Sequence, residues 1–235
     1  MNTMRAWALA LQLLAGLAPA AAAASPEQAV FGKERASLDA RGVADWVVVS
    51  KDNDNLPFAI LDKKNAKVFV FHPDGRLRGA APVLLGLGRG DVALPGIGAR
   101  ELSKIAPNDR VTQAGRFVAD LGVDHHGDDV LWLDYEGGLA MHRVITSNAK
   151  ERRAQRLATP TPLDNRISYG CINLPVKFYE NVLAPAFTGT TGIVYVLPET
   201  REARAFFASG EAPSILARPM IVVTDPNQKS GATGN

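Results

Sequence analysis

Beyond residue 45, short apolar runs alternate with clusters of turn residues. Trp46-Val47-Val48-Val49 is brief and β-branched and reads as a strand, while the polar stretch before it, residues 25–39, has room for one short helix. Phe58-Ala59-Ile60-Leu61 leads into Asp62-Lys63-Lys64-Asn65, a turn. Val68-Phe69-Val70-Phe71 follows, then Pro73-Asp74-Gly75, a strong turn signal. Residues 77–85 resume the strand character. Residues 86–110, with Gly90, Pro95, Gly96 and Gly98, form a long loop, and loops of that length in a small domain tend to serve function. Further strands are expected at Arg116-Phe117-Val118-Ala119, at Val130-Leu131-Trp132-Leu133, over 139–145 and at Ile193-Val194-Tyr195-Val196. Short helices are expected within 147–157 and over 175–183, the second with proline in its first turn. Neither an internal repeat nor a second domain is evident. The pattern predicts a mainly β domain, a meander of short strands with a few short helices.

The first two dozen residues follow another pattern. Arg5 is the only charged residue before Glu27, residues 6–17 are apolar except for Gln12, and small residues run from Ala18 to Ala24. A basic start, a short apolar stretch and a small-residue end describe a secretory signal peptide. The run is too short for a comfortable membrane span, and no later segment approaches the ~18 unbroken apolar residues a span needs. The expected organisation is a signal over 1–24, one domain over 25–210 and a flexible tail over 211–235. The mature protein is then exported, periplasmic or wall-associated, without a stable membrane span.

Composition adds limits. Hydrophobic residues make up 46% and charged residues 21%, enough for a core, and 26 basic residues stand against 24 acidic ones. No basic stripe is present, which argues against nucleic acid as a partner. Lys63-Lys64 and Arg152-Arg153 are isolated pairs and read as solvated surface charge.

An exported chain meets oxidising conditions, where cysteines usually pair. This chain has one, Cys171, so no intramolecular disulfide can form and a reactive thiol becomes a candidate. It sits in Ile167-Ser168-Tyr169-Gly170-Cys171-Ile172-Asn173. Gly170 would let a substrate approach the backbone closely. The predicted helix after Cys171 would offer its positive end to a thiolate. Four histidines are available as the base. His72 lies in a strand-end turn and His125-His126 in an acidic loop, whereas His142 lies in the strand Leu139-Ala140-Met141-His142-Arg143-Val144-Ile145. His142 and Cys171 form the expected nucleophile–base pair.

His142 followed by Ser168-Tyr169-Gly170-Cys171-Ile172-Asn173 resembles the signature of the L,D-transpeptidase (YkuD-like) family. That signature is a histidine, a spacer, then Ser/Thr-His-Gly-Cys, a hydrophobic residue and Asn or Arg. Asp62-Lys63-Lys64 with Val68-Phe69-Val70-Phe71, Thr112-Gln113-Ala114-Gly115-Arg116-Phe117 and Gly192-Ile193-Val194-Tyr195 resemble other segments of the family. Tyr169 stands where the family usually has His, Arg143 where it has Gly, and the spacer is longer than usual. The resemblance implies a curved mixed sheet or sandwich, no cofactor, and peptidoglycan stem peptides as substrate, with wall-synthesis proteins as further partners. It implies a thioester on Cys171, loss of terminal D-Ala, and cross-linking by a second stem. Backbone N–H groups around Gly170-Cys171 would hold the oxyanion. Ser168 would orient His142 or support the loop; Tyr169, Arg166 and Asn173 would border the substrate, Arg166 meeting a carboxylate and Asn173 fixing local backbone.

Three other readings compete. Asp124-His125-His126 with Asp128 and Asp129 has metal-ligand chemistry but lacks the i, i+4 spacing of a helical zinc motif, and no metal ligand is assigned. A non-catalytic wall-binding module predicts a function indifferent to Cys171. An L,D-carboxypeptidase would use the same thioester with water as acceptor.

Overall fold

The computed structural model describes residues 28–216. Its first element is a helix, α1 (Leu38–Ser50), not the strand expected at Trp46-Val47-Val48-Val49. Ala40, Val43, Ala44 and Val47 recur at helical spacing and are all buried, and that apolar stripe outweighs the β preference of three consecutive valines. Ser37 caps the start, its Oγ accepting from Ala40 N at 3.0 Å, and Lys51 closes the end in the left-handed region at φ 56°. The helix expected within 25–39 is absent from 28–37.

The other strand expectations hold within a residue or two at most ends. The strands are β1 (Phe58–Asp62), β2 (Lys67–Phe71), β3 (Leu77–Pro82), β4 (Leu85–Gly86), β5 (Gly115–Val123), β6 (Asp129–Asp134), β7 (Leu139–Arg143), β8 (Arg166–Ser168), β9 (Ile172–Leu174), β10 (Gly192–Val196) and β11 (Ser214–Leu216). Eight run in the order β3-β2-β1-β10-β5-β6-β7-β9, with β11 added beside β5, and β4 pairs with β8. The sheet is mixed: β1 with β10, β5 with β11 and β7 with β9 are parallel. β5 bends it, pairing with β10 through residues 115–119 and with β6 through residues 120–123. The two ends then nearly meet. After β3 the chain crosses the gap, Val83 N donating to Ala66 O while Leu84 and Asn173 exchange both backbone hydrogen bonds at 2.9 Å. The domain is thus mostly β, a nearly closed curved mixed sheet with a few short helices.

Both faces of β1 and β10 are covered, which is why their sequences are continuous apolar runs rather than alternating ones. Ala59, Leu61, Phe117, Leu131, Met141, Ile172 and Leu174 face the enclosed core, with Tyr179, Leu183 and Phe187 from the helical segment that fills it. That segment comprises α3 (Val176–Phe178), a π turn (Tyr179–Leu183) and α4 (Ala184–Phe187). Phe58, Ile60, Phe69, Phe71 and Tyr195 face the other way, against α1 and α5 (Ala203–Ala208). Residues 214–216 pair with Arg116, Phe117 and Val118, so this part of the expected flexible tail is a strand. The expected signal and the end of the tail lie outside the described residues. Among the described residues, no helix is long and apolar enough to cross a membrane.

Candidate active site

Strand alternation presents the candidate residues on one face. Met141, Ile172 and Leu174 point into the core. The parallel β7–β9 register pairs Met141 with Ile172 and His142 with Asn173. His142 and Asn173 therefore lie on the face away from the core, and Cys171, two residues before Asn173, joins them. The 29-residue separation between His142 and Cys171 is closed by this parallel pairing.

Cys171 is half-buried, and its Sγ donates to Gly138 O at 3.2 Å. Burial pushes the thiol pKa up, and the backbone N–H groups of Ala140 and Cys171 itself draw it partly back. The expected help from a helix N-terminus does not materialise, because β9 and Pro175 separate Cys171 from α3. The resting sulfur is a neutral thiol.

His142 Nδ1 lies 2.7 Å from Arg143 O, which can only accept, so Nδ1 carries the proton and Nε2 is bare. Nε2 faces Asn173 Nδ2 at 3.3 Å rather than the thiol. Burial pushes the His142 pKa down. The bond to Arg143 O opposes this, the Arg153 charge adds to it, and Asp124 and Asp128 oppose it. His142 is thus a neutral base at pH 7, on the same face as a protonated thiol but hydrogen-bonded elsewhere. Asn173 is 1% exposed, too deep to border a substrate directly; its amide connects His142 to Arg153.

Ser168 supports the loop and is not bonded to His142. Its Oγ donates to Cys171 O at 2.6 Å and accepts from Gly170 N at 3.2 Å. Since Gly170 N–H is engaged there, the backbone donors beside the sulfur are Ala140 and Cys171. Gly170 has φ 139°, a conformation that favours glycine, and a Cβ there would lie 3.1 Å from Val111 O. The glycine answers to the turn and to the neighbouring chain. Thr112, which the sequence offered only as part of a resembling segment, braces the same turn: its Oγ1 donates to Gly170 O at 2.7 Å and accepts from Gly86 N at 2.9 Å.

Arg166 does not wait for a carboxylate from outside. Its Nη2 donates to Glu199 Oε2 at 2.6 Å and its Nη1 to Gly88 O at 3.1 Å, with 9% of the side chain exposed. It belongs to a buried network with Lys63, which is also not the surface charge it seemed. Lys63 Nζ donates to Asp91 Oδ1 at 2.9 Å, Gly90 O at 2.6 Å and Thr112 O at 2.9 Å. These charges anchor both ends of the long loop to the segment after β10.

That loop roofs the thiol. A cleft of about 110 Å³ lies between Ile97, Arg100 and Leu102 of the loop and Gly138, Tyr169 and Cys171 opposite. Gly98 allows the loop to seat on the β6–β7 turn, where a Cβ would collide with Glu136 O. Tyr169 stacks under Arg110, whose Cζ is 4.0 Å from the ring centroid, and the tyrosine forms part of the cleft wall. Arg100 is exposed and makes no ion pair among the described residues, and nothing in its sequence context singled it out.

The acidic loop offers no second centre. Asp124 Oδ1 accepts from the backbone N–H of His126 and Asp128, and among the described residues no group of three or more His, Cys, Asp or Glu side chains could hold a metal ion. In comparisons with known proteins, no family model matches the chain and no curated protein matches it.

Proposed function

We propose that the protein is a cysteine-dependent acyltransferase of the L,D-transpeptidase type, acting on peptidoglycan stem peptides. The observation that carries the reading is the shared sheet face of Cys171 and His142, with the thiol at the wall of a roofed cleft. The motif Ser168-Tyr169-Gly170-Cys171-Ile172-Asn173 and its resemblance supply the substrate class. The cleft is well below the roughly 300–1,000 Å³ of ordinary ligand pockets, which suits a small terminal residue such as D-Ala.

In this reading Sγ turns from Gly138 O toward His142 Nε2 and gives up its proton as it attacks the carbonyl carbon of the stem amide. The tetrahedral oxyanion meets the N–H groups of Ala140 and Cys171, the donors beside the sulfur. His142 returns the proton to the departing amine of D-Ala, leaving a thioester on Cys171. An amine from a second stem attacks the thioester, loses a proton to His142, and releases Sγ, which is reprotonated. Arg100 is the cleft cation that would meet a stem carboxylate, the role the sequence had given to Arg166.

Mature protein incubated with disaccharide-tetrapeptide, beside Cys171→Ala, tests this by mass spectrometry. Cross-linked dimer with loss of D-Ala, absent from the variant, is the expected result. Tripeptide alone would reassign the activity to an L,D-carboxypeptidase. Absence of any Cys171-dependent product would overturn the acyltransferase reading for this substrate.

A further inference from the structure

Asn173 Oδ1 accepts from Arg153 Nη1 at 2.6 Å, and Arg153 is itself held by Glu151 Oε2 at 2.5 Å from its Nε. Arginine only donates, so the amide oxygen must face Arg153 and the amide NH2 must face His142 Nε2. The side chain is 12% exposed, belongs to the first residue of α2 (Arg153–Ala158), and is not among the residues lining the cleft. A second feature holds this end of the chain: Arg156 Nε donates to Glu151 O at 2.8 Å.

We propose that Arg153 is a positioning residue that locks the Asn173 amide with its donor side on His142, so that the imidazole is held as a neutral base. An imidazolium would place Nε2–H against the amide N–H, donor against donor. With Arg153 fixing the oxygen, the amide cannot turn over to accept that proton without breaking a charge-assisted hydrogen bond. The proton that His142 receives is therefore passed on quickly to a leaving amine, a consequence that rests on the acyl-transfer reading. The lock itself does not. The charged groups around His142 are Arg153 from α2 and Asp124 and Asp128 from the β5–β6 turn; the Arg143 side chain is turned away to Asp129 and Glu180. Only Arg153 also contacts the amide that contacts the ring.

The test is the NMR titration of the His142 ring Cε1–H in the folded full-length protein, assigned with His142→Gln. Arg153→Met frees the amide to turn over on protonation, and the His142 midpoint is expected to rise by half a pH unit or more. Arg153→Lys, which keeps a charged donor to Oδ1, is expected to titrate closer to wild type than Arg153→Met does. Should Arg153→Met fail to fold, Asn173→Ala removes the donor directly and carries the same expectation. A variant that titrates with wild type overturns the lock, whatever the protein does to a stem peptide. If acyl transfer is present, the acid limb of kcat/KM moves up with the same midpoint. If it is absent while the titration shifts, the activity reading fails and the lock stands.

Discussion

Asn173 Nδ2 lies 3.3 Å from His142 Nε2, on the neighbouring parallel strand, while the Cys171 sulfur is bonded to Gly138 O. Imidazole and thiol are thus each hydrogen-bonded to another group at rest. Burial lowers the pKa of one and raises that of the other, so the pair is imidazole and thiol rather than imidazolium and thiolate. Apo hydrogen bonds in active sites are often looser than in the reacting complex, and the proposed reaction requires Sγ to leave Gly138 O for His142 Nε2.

The first consequence is measurable without substrate. Cys171 is the only cysteine, so alkylation by iodoacetamide reports it alone. Its rate is expected to rise with pH through a midpoint above the ordinary thiol value of about 8.5. In urea, with burial removed, the midpoint should return to that value. An inflection well below it in the folded protein would establish a preformed ion pair and overturn the neutral resting state.

Thr112 supports the turn that carries Cys171, and its hydroxyl is fully buried between Gly170 O and Gly86 N. Thr112→Val keeps the shape and leaves both backbone groups without that partner. The expected loss is about 1–3 kcal/mol in urea unfolding. Because Gly170 precedes Cys171, the turnover number should fall more than KM rises. Equal stability to wild type would show that the hydroxyl contributes nothing to the turn.

The buried network at the loop base has its own pH signature. Burial pushes the Asp91 carboxyl up, but hydrogen bonds from Thr200 and Lys63 and from the Glu199 backbone outweigh it and hold the pKa at about 2, below its ordinary 3.8. A depressed carboxyl contributes stability above its ordinary pKa and loses it as pH falls toward the folded value. Wild type should lose this contribution between pH 3.8 and about 2. Asp91→Asn should lack that part of the acid slope. At pH 7 it removes the nearer of the two carboxylates beside the buried Lys63 cation, at an expected cost of up to roughly 3–5 kcal/mol by chemical denaturation.

Much of this architecture was legible in the chain because the sheet is built from short runs with strong turn signals, as at Pro73-Asp74-Gly75. The same period-two logic that makes Ile172 and Leu174 core residues puts Cys171 and Asn173 on the opposite face. The valines of α1 misled because β-branching is a weaker cue than the spacing of Ala40, Val43, Ala44 and Val47. Charges misled for a different reason. In Lys63-Lys64 and Arg152-Arg153, one member of each pair turns inward, Lys63 to Asp91 and Arg153 to Asn173. Their partners lie 28 and 20 residues away in sequence, and only tertiary pairing reveals them. Arg166 failed as a carboxylate site for the same reason, with Glu199 already opposite its guanidinium.

In the proposed reaction, Arg100 is the residue expected to meet the substrate carboxylate. Arg100 is exposed and lines the same cleft as Cys171, whereas the other arginine considered for this role is occupied. An exposed Arg–carboxylate pair is worth about 0.2–1 kcal/mol, so Arg100→Ala should raise KM by up to about fivefold. Thermal stability should stay unchanged, since no ion pair among the described residues is broken. The chemistry of the contact can be isolated by comparing stem peptides with a free and an amidated terminal carboxylate. Wild type should prefer the free acid, and Arg100→Ala should lose that preference. If both proteins discriminate equally, the carboxylate is recognised elsewhere; if KM rises equally for both peptides, Arg100 shapes the roof of the cleft rather than reading charge.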